Sequence, residues 1–208
     1  MARPKRASAV LAATGLLAAT TLSGCQLLTA QPPVHTPTAL EACATDRAWD
    51  LDTAAFAPVA TTVMHEHGVP LDIAVQGTQR LTWGSDFAMH LDSDLTFIAS
   101  GAASPGREET LTVRGQSGGL AYFAGTIAVP RQWSEDGLTA QPAATQDGAP
   151  VNGAVAWPRL WIDDTNGLEV TCSEDQLQLA ARQGPLVWTF RPEGWTPPAP
   201  EPEPAPAQ

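Results

Sequence analysis

Arg80-Leu81-Thr82-Trp83-Gly84-Ser85-Asp86-Phe87-Ala88-Met89-His90-Leu91-Asp92 carries a regular two-residue alternation on either side of a turn. Leu81 and Trp83 alternate with Arg80 and Thr82; beyond Gly84-Ser85-Asp86, Phe87, Met89 and Leu91 alternate with Ala88, His90 and Asp92. Successive side chains of a strand point to opposite faces, so a two-residue repeat puts one apolar face toward a core. Gly, Ser and Asp are turn formers, and the stretch therefore reads as two strands joined by a turn.

The same period extends upstream to Ile73 and Val75, which alternate with Asp72 and Gln76. Before them the spacing changes. Leu51, Phe56, Val59, Ala60, Val63 and Met64 fall near 3.6-residue spacing, with Asp50 or Asp52 as N-cap and Gly68 then Pro70 as the stop. Pro58 interrupts this helix, which either kinks there or starts its regular part at about Ala57. Downstream, Leu95-Thr96-Phe97-Ile98 reads as a further strand and residues 101–107 as a loop. Two strands flank Gly118-Gly119, which reads as a hairpin turn, and Pro130 ends the second of them. Residues 131–153 read as a long irregular excursion with at most one weak strand. Regular pattern resumes over 154–162, and Asp163-Asp164-Thr165-Asn166-Gly167 turns the chain. Leu168, Val170 and Cys172, then Leu177 and Leu179, then Leu186, Trp188 and Phe190 complete the strands.

These elements predict an α+β, mainly β domain over residues 43–192. One N-terminal helix packs on a curved antiparallel sheet or barrel of about eight to ten strands. One short helix covers little of such a sheet, so an apolar cavity is expected between the two, lined by residues such as Ile73, Leu81, Met89, Leu91 and Leu179. In element order, residues 50–191 resemble lipocalin-like barrels and the half-barrel-plus-helix LolA-like lipoproteins, which carry lipids across envelopes. The resemblance implies a small or lipidic ligand. No ligand-binding motif of either group is matched residue by residue.

The ends of the chain have a different character. Arg3, Lys5 and Arg6 precede an apolar run that closes on Leu22-Ser23-Gly24-Cys25, the arrangement of a secretory signal with a cysteine at its cut site. The run is too short for a comfortable span of about 20 residues. The motif resembles the lipobox of bacterial lipoproteins. The resemblance implies cleavage before Cys25, thioether-linked diacylglycerol and palmitate on it, and an extracytoplasmic protein held to the cell membrane by lipid. The lysine-poor, Ala/Pro/Thr-rich composition resembles that of actinobacterial lipoproteins. Residues 1–24 are then the signal peptide, 25–42 a Pro-containing tether and 193–208 a disordered Pro/Glu tail. The chain's net charge of −11 becomes −14 once the three leader cations are gone. Such a chain binds neither nucleic acid nor an anionic bilayer by charge. Cys43 and Cys172 remain as an even pair in an exported chain, expected to form a disulfide.

Candidate chemistry is sparse. Gly115-Gln116-Ser117-Gly118-Gly119 fits G-x-S-x-G and resembles the serine loop of chymotrypsin-like proteases. A hydrolase elbow needs a strand before the serine and a helix after it, whereas both sides here read as strands. No spacing singles out a base among His35, His65, His67 and His90. His65-Glu66-His67 puts two imidazoles on different sides of a helix, and Asp163, Asp164 and Asn166 lack calcium-loop spacing, so no metal is expected. Glu108-Glu109 and Glu135-Asp136 read as solvated loops. Of the seven tryptophans, those on strands suit a core, while Trp133 and Trp157, beside the excursion, are the candidates for ligand contact. The reading is a lipid-anchored, non-enzymatic envelope protein binding a small or lipidic molecule, without cofactor. A structural or partner-binding surface domain with a filled core is its rival, and a hydrolase comes third.

Overall fold

The alternation quoted above forms the centre of a closed barrel. The computed structural model describes residues 35–101, 105–163 and 167–196. All the elements below belong to the unit Thr36–Gln208. The signal, Cys25, most of the tether and nearly all of the Pro/Glu tail lie outside the described residues. Nine strands occur among them: β1 Arg47–Leu51, β2 Asp72–Trp83, β3 Ala88–Ser100, β4 Arg107–Ala124, β5 Ile127–Gln146, β6 Ala149–Val151, β7 Leu168–Cys172, β8 Leu177–Ala181 and β9 Val187–Pro192. Their order is β4-β3-β2-β1-β9-β8-β7-β5, and β5 pairs back onto β4. Eight antiparallel strands therefore close a ring, and β6 is an extra strand added to the far end of β5.

Helix α1, Ala39–Ala44, stands where the sequence reading places the end of the tether. Thr38 and Glu41 form a capping box at its start, which explains how six residues hold a helix. Helix α2, Thr53–Glu66, has Asp52 as N-cap and contains Pro58. Pro58 lies six residues in and deprives the Ala54 carbonyl of its partner, yet the helix begins at Thr53 and not at Ala57. Packing of its apolar face outweighs that loss. Phe56, Ala60, Val63 and Met64 are buried, and the Phe56 ring meets Phe97 of β3 at 6.2 Å and Trp188 of β9 at 6.3 Å. Those strands lie apart in the ring, so α2 stoppers the barrel interior.

Several expectations are corrected here. The segments around Met89 and Leu95 are one continuous strand, β3, since Ser93 and Asp94 keep the ladder with β2 unbroken, whereas Phe87, expected in the strand, closes the turn before it with φ 67°. Gly118-Gly119 is not a hairpin turn but lies inside β4, and the chain turns at Gly125 and Thr126. The register with β5 shifts on both sides of Gly118. At Gly119 a Cβ would sit 2.6 Å from the Arg131 oxygen and 2.9 Å from the Gln132 oxygen, so the glycine permits the irregular β5 backbone to approach. Pro130 does not end its strand, and the irregular excursion is mostly strand, because β5 runs to Gln146 on backbone pairing with β4 without apolar alternation. Conversely, residues 154–162 form no strand.

The interior is occupied. Trp49, Trp83, Phe56, Phe97, Phe190, Met64, Leu81, Met89, Leu91 and Leu177 are each less than 2% exposed. The residues expected to line a cavity between helix and sheet pack against one another and against α2. Cys43 and Cys172 form a disulfide with Cα atoms 6.0 Å apart, clipping α1 to the end of β7.

Candidate functional site

The structure separates a strand-lined barrel from a long two-stranded ribbon, and the candidate site lies along the latter. β5 pairs with β7 only at Ile127↔Glu169 and Ala128↔Leu168. Beyond that point it leaves the ring with β4 as its partner, as far as Arg107↔Gln146. Residues 153–163 pack against the barrel core as an irregular strap, with Leu160 and Ile162 buried and Val155, Trp157 and Trp161 partly buried.

Polar latches hold the strap. Glu109, only 1% exposed, faces inward from β4. Its carboxylate accepts from Arg107 Nε at 2.7 Å and from the Val155 backbone N–H at 3.1 Å. Arg107 also donates to the Gly153 carbonyl at 2.8 Å. Arg159 pairs with Asp163 at 2.9 Å and with Glu135 of β5 at 3.4 Å. The Trp188 indole donates to the Leu160 carbonyl at 3.1 Å. Glu109 and Glu135 are thus latch groups and not solvated loop residues. The sequence signal was available: position 109 shares its parity with Leu111 and Val113, which marks the inward face of β4.

Trp133 and Trp157 differ from the core tryptophans. Trp49, Trp83 and Trp188 are buried, and each indole N–H donates to a backbone carbonyl. Trp133 packs against the core from β5, and Trp157 lies on the strap with its ring 6.4 Å from Phe97. The indole N–H groups of Trp133, Trp157 and Trp161 are shielded from solvent and have no acceptor among the described residues. The structure places all three on β5 and its strap, and among the described residues no ring contact joins Trp133 to Trp157.

The other motifs dissolve into structure. Ser117 is buried inside β4 with strand on both sides, so the hydrolase elbow's geometry is missing. His67 caps α2, its Nδ1 lying 2.8 Å from the Val63 carbonyl, while His65 approaches Asp72 at 3.8 Å. No three His, Cys, Asp or Glu side chains among the described residues group as metal ligands. His90 lies on the outer face with Arg80, Thr82, Asp92 and Gln116 around a shallow open hollow of about 380 Å³. The Glu193 carboxylate bonds to the Arg80 guanidinium and raises its pKa further. No described helix is long and apolar enough to cross a membrane. No known family, curated protein or solved structure matches the chain.

Ribbon and barrel also differ in exposure. Residues 139–143 of β5 are exposed on both faces, and among the described residues no strand but β4 pairs with positions 129–143. The outer edge of this segment presents backbone donors and acceptors to solvent.

Proposed function

We propose that this protein is a lipid-anchored, extracytoplasmic envelope protein whose barrel is a non-enzymatic, partner-binding surface domain. The observation that carries the partner-binding part is the filled interior. α2 and inward side chains occupy the space a lipocalin-like barrel would offer a ligand, so recognition falls to the outside. The anchor rests on the lipobox at Cys25, and the Cys43–Cys172 disulfide agrees with an oxidising compartment. With a charge of −14 after the leader, lipid and not electrostatics holds the protein to the membrane.

The anchor is tested by Cys25→Ala. The expected outcome is release from the membrane fraction; retention in the membrane with the signal uncut overturns it. The partner reading is tested by photo-cross-linking in cells from residues spread over the barrel surface. Discrete adducts support it, and none from any position overturns it. The rival reading, a small or lipidic ligand, is favoured by one observation, the unpartnered indole N–H groups of Trp133 and Trp157. It predicts a co-purifying small molecule in native mass spectra and a tryptophan fluorescence change on titration with lipids.

A further inference from the structure

An open strand edge is a liability, because its unpaired backbone groups template pairing with other chains. Proteins blunt such edges with charge, proline, bulges or cover. Between residues 137 and 143 the outer edge of β5 carries only one of these, Pro142. From residue 137 to 146 the sequence is Gly-Leu-Thr-Ala-Gln-Pro-Ala-Ala-Thr-Gln, ten residues without a charge in a strongly acidic chain. Residues 139–143 are all exposed, and β6 covers the edge only from Ala144 to Gln146.

Pro142 sets the phase of this edge. Having no N–H, proline suits a strand position whose nitrogen faces away from the ladder. Position 142 therefore faces outward, and so do the even-numbered neighbours Leu138 and Ala140, in phase with Ala144 and Gln146 paired to β6. Leu138 and Ala140 offer an N–H and a carbonyl each, and Pro142 offers a carbonyl. That is enough for a short added strand, and the missing donor at Pro142 limits its length. Gly137, Ala140 and Ala143 are small, which leaves room for larger side chains on the incoming strand.

Charge selects the occupant. Asp136 and Asp147 stand exposed at the two ends of the uncharged run, and Glu108 is exposed on neighbouring β4. Arg107 is held by Glu109, Arg114 by Asp94 at 2.7 Å, and Arg159 by Glu135 and Asp163; Arg131, exposed on the same strand, stands outside the run, before Asp136. A second copy of the chain is a poor fit. Antiparallel self-pairing across a two-fold axis sets Asp136 of one copy toward Asp147 of the other, on top of the net repulsion of two acidic chains. Resting on the partner-binding reading, and naming its site, we infer that the edge of β5 over residues 137–143 docks one extended segment of a partner protein. That segment is uncharged and β-branched in its middle and basic at both ends, and it joins the sheet as an added strand.

The test uses the full mature chain and three fluorescein-labelled peptides: KRTVTVTVKR, its acidic-ended counterpart EDTVTVTVDE, and a form of the first with alternate backbone nitrogens methylated. The expected result in fluorescence anisotropy is saturable binding of the basic-ended peptide, at least tenfold weakened by acidic ends, by N-methylation and by Ala140→Pro. Should Ala140→Pro lower the melting temperature, Ala140→Lys replaces it, since a charge on the edge opposes a basic-ended strand without touching the β4 ladder. Equal binding of the N-methylated peptide, unchanged affinity in the variants, or no binding up to millimolar peptide overturns the inference. Photo-cross-linking in cells separates it from the broader reading. Adducts from position 141 support the edge. Adducts from other faces alone overturn the edge and leave partner binding standing, and none anywhere overturns both.

Discussion

The ring strands β1, β2, β3 and β7–β9 and the outer run of β5 are both antiparallel sheet, yet different forces hold them. In the ring, inward side chains such as Trp49, Leu81, Met89, Leu177 and Phe190 are almost wholly buried, so stability comes from apolar area removed from water. Along β5 beyond position 136, five consecutive residues are exposed on both faces, and order comes from the ladder with β4. The strap lies between these regimes: its tryptophans pack, but ion pairs and single hydrogen bonds hold its path. The barrel is specified by packing, whereas the ribbon is specified by its neighbour and remains open to another.

Four measurements test this contrast. Replacing Cys43 and Cys172 with serine removes a link between residues 129 apart in sequence. Loop-closure reasoning puts the loss at roughly 5 kcal/mol as a model-dependent upper figure. Denaturant unfolding of the double variant checks it, and alkylation of the unreduced, denatured protein at both cysteines removes its premise. Phe56→Ala, in the face that stoppers the barrel, should cost about 4 kcal/mol from lost transfer energy and cavity formation. Urea midpoints followed by tryptophan fluorescence read this, and a loss under 1 kcal/mol means that α2 is not part of the core.

Glu109→Ala strips the Val155 N–H and the Arg107 guanidinium of a buried acceptor, with an expected loss of about 2 kcal/mol. Hydrogen exchange should speed up at Val155 while amides of β2 and β3 stay protected. Uniform acceleration contradicts the separate latching of the strap. Gln141→Ala, on the exposed ribbon, should shift stability by less than about 0.5 kcal/mol. A shift of several times that size shows that the ribbon's free run is buried against something in solution.

The reach of the sequence follows the same division. Wherever a strand has one face on the core, alternation exposes it: positions 73 to 91, 168 to 172, 177 to 179 and 186 to 190 carry the signal, and all lie in the described strands or at their borders. Where both faces of a strand are wet, no apolar period exists to read, and residues 131–146 appear irregular. Gly118-Gly119 misleads for a related reason, since glycine permits both a turn and a close bulged crossing, and only the β5 backbone decides which. In residues 154–162 the apolar side chains are spaced as if for a strand but serve an irregular strap that leaves no ladder.

Alternation, a local property of the chain, was enough to show that the body is a mainly β, antiparallel domain. Closure of the ring through β5 and β7, the stopper made by Phe56, the inward turn of Glu109 and the free edge at residues 137–143 were decided only in three dimensions. Each depends on which distant segment arrives alongside. That is settled by the packing of the whole barrel, where a residue's neighbours lie tens of positions away and its own side chain carries no mark of them.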